Sequence, residues 1–292
     1  MAEHKEKQET GVERTIQAAH DEQDSLVLPE VDVEQDDEQP NEAELALVST
    51  IFAEQFEILE VIGKGGMSVV YRAKDQYLRQ DVAIKILHRN LTYDQTSPRR
   101  FQQEAATALS LAHPNIVRVR SFGITNGIPY MVMDLLEGTP YADAIKKQKE
   151  SMPVPLVLHI FSQVCAGLAH AHSRGVVHRD IKPSNLMLVE CDGDSHFVKI
   201  LDFGIAKVLP QNGERISRLT QTGEIFGSPL YMCPEQWSGK AVDMRSDVYS
   251  LGCVLYEAIQ GKPPHYSPNV FETMHAHLME IPDPLLIPGM VP

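Results

Sequence analysis

The sequence predicts an α+β fold in which a strand-rich part precedes a helical part, the whole preceded by an acidic tail. Three observations predict it: a break in composition near residue 55, apolar alternation that begins at Phe56, and helical spacing that dominates after Gly138. At 292 residues and 43% hydrophobic content, the chain is long enough for one large domain or two small ones.

Residues 1–50 are predicted to be an acidic, disordered tail. Positions 1–55 hold 16 Asp and Glu against 3 Lys and Arg, and the first forty residues contain no aromatic side chain. Such a stretch buries too little apolar surface to offset chain entropy. A docking segment for a basic partner is the alternative reading. Asn41 to Phe52 has helical character and leads toward the fold.

From Phe56 the run Phe56-Glu57-Ile58-Leu59-Glu60-Val61-Ile62 alternates, glycines follow, and Val69 to Ala73 alternates again, which fits two strands joined by a glycine turn. Val82 to Leu87 reads as a third strand, the stretch beyond Pro98 as a helix, and Val117–Phe122 and Tyr130–Met133 as further strands. After Gly138 the pattern predicts mostly helix, at Leu156–His172 and again in a buried apolar helix from Val248 to Ile259.

Several classes of function lose support. The formal charge is −14 for the chain but only −1 beyond residue 55, so no broad basic face invites nucleic acid. Cys165, Cys191, Cys233 and Cys253 form no Cys-x-x-Cys pair, which signals neither zinc nor a disulfide framework and agrees with a reducing cytoplasm. The N-terminus lacks a secretory core, no uninterrupted apolar run approaches the ~20 residues of a membrane span, and no membrane contact is expected of this chain. His170/His172 and His275/His277 are two apart, on opposite sides of a helix, so solvated or helix-end histidines are expected there instead of a metal site.

The chemistry concentrates in His178-Arg179-Asp180-Ile181-Lys182-Pro183-Ser184-Asn185, followed by Asp202-Phe203-Gly204. From a tight loop Asp180 and Asn185 can both point into one cleft, and Asp202 can arrive from the end of a neighbouring hairpin. Together they make a site for one hydroxyl and two metals. Gly63-Lys64-Gly65-Gly66-Met67-Ser68-Val69-Val70 is a glycine turn whose backbone N–H groups can approach phosphates. A strand follows it instead of a helix, which argues against a dinucleotide fold, and no Gly-Lys pair precedes Ser or Thr as a Walker A loop requires.

On the third strand a period of two puts Ala83 and Lys85 on one face and Val82, Ile84 and Ile86 on the other. In the next helix Glu104 shares an arc with Phe101, Ala105, Ala108, Leu111 and Ala112. A carboxylate among apolar positions is costly unless paired. Lys85 is the natural partner.

With these motifs, the Asp75…Leu78-Arg79…Val82-Ala83-Ile84-Lys85 stretch and Ser246-Asp247-Val248-Tyr249-Ser250-Leu251-Gly252, the chain from Phe56 onward resembles a eukaryotic-like (Hanks-type) protein kinase of the bacterial serine/threonine class. The resemblance implies a bilobal protein-kinase fold: domain 56–292, N-lobe 56–133, hinge 134–138 and C-lobe 139–292. It implies an ATP-dependent enzyme with Mg²⁺, or alternatively Mn²⁺, that phosphorylates Ser and Thr of protein substrates.

By the same resemblance Asp180 handles the substrate hydroxyl proton, Lys182 steadies the γ-phosphoryl, Lys85 with Glu104 holds the α- and β-phosphates, and Asn185 with Asp202 holds metal. Ile62, Val70, Ala83 and Met187 sandwich the adenine, Met133 is the gatekeeper, and the Asp134 to Leu136 backbone binds the base. Asp247 anchors the catalytic loop. Lys182 and Gly227-Ser228-Pro229 resemble the serine/threonine group more than the tyrosine group.

Thr220 or Thr222 is expected to be autophosphorylated and to pair with Arg179, with a homodimer serving transfer in trans. The family pairs the equivalent of Glu235 with an Arg from a late helix, yet no Lys or Arg follows Lys262. The expectation is a helical lobe without its last two helices, weak stability for these residues alone, and a longer form that could be anchored in a membrane. A catalytically impaired kinase-like scaffold, an incomplete kinase fragment and a small-molecule kinase are the alternatives.

Overall fold

The computed structural model describes residues 42–65, 68–88, 96–148, 152–203 and 229–285, with the backbone alone at 42, 43, 96–100, 103 and 104. Helix α1 (Glu42–Leu45) and strand β1 (Ile51–Phe52) lead into β2 (Phe56–Gly65), β3 (Ser68–Asp75) and β4 (Gln80–Leu87). Helix α2 (Thr96–Leu109) separates these from β5 (Val119–Thr125) and β6 (Ile128–Asp134). The six strands form one antiparallel sheet in the order β1-β2-β3-β4-β6-β5.

β4 lies inside that sheet, and its period of two feeds two cores. Val82, Ile84 and Ile86 pack with Ile58, Tyr71 and Val132 on one side. Ala83 and Leu87 pack with Phe101, Ala105, Met131 and Met133 on the other, beneath α2. Of the arc expected on α2, Phe101, Ala105 and Ala108 are buried, while Leu111 is buried beyond the helix end and Ala112 is exposed.

The lead-in differs from expectation. The helix stops at Leu45, and the chain turns where the Thr50 N–H donates to the Leu47 carbonyl at 3.1 Å. Ser49 takes a left-handed φ of 65° there. Ile51 and Phe52 then pair with Glu57 and Phe56 as an edge strand. Leu47 and Val48 pack against the sheet core, and Glu44 is buried. Residues 44–50 therefore belong to the folded body, and the tail expected over 1–50 has its boundary moved inward. Residues 1–41 lie outside the described residues.

Beyond the sheet come β7 (Gly138–Pro140), α3 (Tyr141–Lys147), α4 (Val154–His172), β8 (Leu186–Cys191), β9 (Asp194–Ile200), α5 (Pro234–Trp237), α6 (Met244–Gln260) and α7 (Val270–Met279). β7, β8 and β9 make a second, three-stranded sheet where the pattern predicted mostly helix. Its hairpin turns on Asp192 and Gly193, both with positive φ, 50° and 84°, the backbone that a two-residue turn between twisted strands requires. Gly138 is needed at the edge of β7, since a Cβ there would overlap the Leu188 carbonyl of β8.

α4 packs Val157, Ile160, Phe161, Val164 and Leu168 into a core shared with Leu251 and Val254 of α6. Its apolar run is interrupted by His159, Ser162 and Gln163, as expected, although by length and composition the 19-residue helix is apolar enough to cross a membrane, with mean hydropathy 1.5 over an 18-residue window. In this fold its apolar face builds that core. α6 starts at the Asp243 cap, whose carboxylate accepts from the Arg245 N–H, and ends at left-handed Gly261. It is buried on one face only, and Val248, expected inside, is 63% exposed.

Candidate functional site

The loop between α4 and β8 carries His178, Arg179, Asp180 and Asn185, and one carboxylate holds it in shape. Asp247, in the first turn of α6 and fully buried, accepts the backbone N–H of His178 at 2.8 Å and of Arg179 at 2.7 Å. His172, the last residue of α4, places Nε2 2.7 Å from the same carboxylate. These bonds support a left-handed φ of 66° at Arg179, an uncommon conformation for a residue with a side chain. The expected anchoring role of Asp247 is what the geometry displays. His172, expected to be solvated or at a helix end, is a helix-end residue that also partners Asp247.

The loop is tied from two further directions. Asn185 Nδ2 donates to the Asp180 carbonyl at 2.7 Å and lies 3.4 Å from its carboxylate. Leu201 N–H donates to the Asn185 carbonyl at 2.9 Å, which brings the end of β9, and with it Asp202, beside the loop. His178 Nε2 meets the Leu201 carbonyl at 2.7 Å, and its ring stands 4.8 Å from that of Phe203. Asp202 itself has a φ of 52°.

Across from this loop, Lys85 is buried on the inner face of β4, its strand partners being Val70 and Met131. Its Nζ lies 2.8 Å from Asp202 Oδ1. A surface lysine on an edge strand would show neither burial nor a partner from the other half of the molecule. Glu104, expected as that partner, lies on α2 with its side chain outside the described residues. The Lys85–Asp202 pair thus joins the sheet of the first part to the loop of the second.

The other described candidates lie on β2, β3, β4, β6 and β8 or in the stretches that flank them. Gly63, Lys64 and Gly65 end β2 opposite Val70, Val69 and Ser68 of β3. Gly66 and Met67 lie outside the described residues. Ala83 and Met133 are strand partners on β4 and β6. Met133 is buried, while Ile62 is 45% exposed. Asp134 is the last residue of β6, its N–H donating to the Arg118 carbonyl at 3.0 Å, and 135–137 run without regular pairing to Gly138. Met187 on β8 stands opposite Pro140. Lys182 precedes the 3₁₀ turn Pro183–Asn185. Thr220 and Thr222 lie outside the described residues.

Sequence reasoning missed Gln236. Its Nε2 donates to the Arg179 carbonyl at 2.9 Å, and its Oε1 accepts the Cys233 N–H at 3.2 Å, so one buried amide both caps α5 and braces the loop. The capping-box spacing of Cys233 and Gln236 was the available signal. In the second histidine pair His275 is solvated and His277 stands in the last turn of α7, as expected of solvated or helix-end residues. His277 is buried, with Nδ1 2.7 Å from the Tyr249 hydroxyl, and its ring stands 4.9 Å from that of His265. Burial, with the neighbouring His265, lowers its pKa to about 4. No group of three or more metal-ligating His, Cys, Asp or Glu occurs among the described residues.

Comparison with known proteins agrees with this geometry. The family model described as protein kinase domain matches residues 56–288. A serine/threonine-protein kinase PknB of Mycolicibacterium smegmatis is 39% identical over 236 residues, covering 80% of this chain and 36% of that protein. The PknB of Mycobacterium tuberculosis H37Rv is 37% identical over the same length and coverage. The chain therefore spans about a third of the length of these curated relatives. Among solved structures, the PknI kinase domain of M. tuberculosis superposes with a TM-score of 0.59 at 28% identity, covering 75% of this chain and 77% of that one.

Proposed function

The chain belongs to the protein kinase domain family, and from that premise we propose that it transfers the γ-phosphoryl group of ATP to Ser and Thr hydroxyls of proteins. The observation that carries the reading is the buried Lys85 held 2.8 Å from Asp202, beside a loop that presents Asp180 and Asn185. A buried ammonium costs free energy unless an anion compensates it. In the bound state Lys85 would exchange part of its contact with Asp202 for the α- and β-phosphates, with Glu104 as a second partner.

Asp180 would accept the proton of the attacking hydroxyl, and Lys182 would steady the moving phosphoryl group. The amide nitrogen of Asn185 is spent on the Asp180 carbonyl, which leaves its amide oxygen to face a cation. With the Asp202 carboxylate this makes a hard oxygen donor set, suited to Mg²⁺ and tolerant of Mn²⁺. When bound, the ion supplies positive charge to the phosphates.

The adenine would lie between Ile62, Val70 and Ala83 above and Met187 below. Met133 would limit its depth, and the backbone from Asp134 to Leu136 would bind its edge. Gly63 to Val70 would cover the phosphates, including Gly66, Met67, Ser68 and Val69. Phosphorylation of Thr220 or Thr222, in trans between two copies, would supply an anion for Arg179. The buried Nε of that arginine has no hydrogen-bond partner among the described residues.

Turnover of ATP with Mg²⁺ on a generic basic protein tests the reading. The wild-type chain should phosphorylate Ser and Thr, and Asp180→Ala should lower the rate about 10² to 10⁴-fold. Equal rates in the two chains would overturn it.

A further inference from the structure

Glu44 lies outside the matched family region, yet it is 5% exposed and its carboxylate is turned toward the glycine turn. Oε2 stands 3.2 Å from Lys64 Nζ, between the two glycines that end β2. Oε1 is 3.9 Å from His88 Nδ1, and the other ring nitrogen of His88 lies 3.1 Å from the Gly65 carbonyl. The Tyr71 hydroxyl of β3 donates to the Glu44 carbonyl at 3.2 Å, which fixes α1 against the sheet. One acidic residue of the lead-in segment thus reaches the turn directly through Lys64, with His88 beside it bonding the Gly65 carbonyl.

Burying a carboxylate is costly, and an apolar side chain would pack against the same sheet without that cost. Lys64 is one partner that the charge serves. A turn that orders over phosphates loses conformational entropy when it does so. A turn already held at its base loses less, and the difference appears as nucleotide affinity.

We propose that Glu44 is a positioning residue for the phosphate-binding turn: the segment preceding the kinase domain fastens that turn through Lys64 and so sets the affinity for ATP. The proposal rests on the nucleotide-binding reading above. It also predicts a direction that simple electrostatics does not. Removing a negative charge near a triphosphate site would by itself tighten binding of the anion, whereas loss of the fastening weakens it.

The test uses the full chain as wild type, Glu44→Gln, Lys64→Gln and the double variant. Kd for ATP is measured in the presence of Mg²⁺, and backbone hydrogen exchange over 63–71 is measured without nucleotide. Glu44→Gln should raise Kd about five-fold, raise KM for ATP with kcat unchanged, and speed exchange in the turn. The double variant should be no weaker than the weaker single one, since both break one contact. An unchanged or tighter Kd in Glu44→Gln, or additive losses in the double variant, would overturn the proposal. If Glu44→Gln does not fold, Lys64→Gln decides by hydrogen exchange without nucleotide, and wild-type exchange over 63–71 there overturns it. A wild-type chain that binds no ATP overturns the kinase reading and this proposal together. Binding by wild type with an indifferent Glu44→Gln overturns the fastening alone.

Discussion

The loop that carries Asp180 and the turn that carries Lys64 serve one cleft, and they are held by different means. Asp247 grips the loop through two backbone N–H groups, with His172, Gln236 and the Leu201 strand end bracing it from other sides. The glycine turn has strand pairing on its flanks and, at its base, a contact with Glu44 from outside the kinase region. Backbone bonds to a buried carboxylate fix a geometry. A side-chain ion pair at 3.2 Å biases one. The contrast separates a loop held by backbone bonds to a buried carboxylate from a turn held at its base by a side-chain pair.

The largest expected effect removes chemistry and leaves the brace. Asp180→Ala should lose about 10² to 10⁴ in turnover with an unchanged denaturation midpoint. A matching loss of stability would mean that Asp180 belongs to the brace instead. Next, Asp247→Ala strands two backbone donors and His172, and should cost about 3 to 5 kcal/mol in urea unfolding. A cost under about 1 kcal/mol would erase the distinction between the loop and the turn.

Acid should loosen the helical part before the sheet. His277 is neutral when folded, with its pKa lowered to about 4 against 6.5. The unfolded chain therefore binds more protons between those values, and stability present above pH 6.5 is lost as pH falls toward 4. The loss should reach at most about 3 kcal/mol, and His277→Gln should flatten the pH profile of the melting temperature. Gly138→Ala, which sets a Cβ against the Leu188 carbonyl, should cost about 1 to 3 kcal/mol by forcing β7 off β8. The smallest effect is the five-fold change in ATP affinity expected at Glu44→Gln, read by titration.

Much of the fold could be read along the chain where pattern and structure share a period. The alternation from Phe56 gave β2 and β3, the Val82–Leu87 run gave β4 with Lys85 on its inner face, and the apolar spacing gave α4 and α6. The second sheet was not legible, because β7 has three residues and β8 begins directly after the 3₁₀ turn. Asp192-Gly193 was its one local signal. The catalytic loop residues could be named from spacing, yet the contacts of His172, Gln236 and Glu44 depend on pairings between distant segments. Val248 misled for the opposite reason: an apolar side chain on a helix need not face the core, and here it faces out.

The three residues at 135–137 acquire a mechanical meaning from their neighbours. Asp134 is stitched to Val82 in one sheet and Gly138 to Val189 in the other, so each lobe claims its own end of the connection. Rotation of one lobe against the other would bend those three residues and would also strain the backbone bonds that tie Asn115 and Val117 to Ile200. A ligand that hydrogen-bonds the backbone of 135–137 would stiffen one of two ties between the sheets, the other being the Asn115–Val117 stretch bonded to β9.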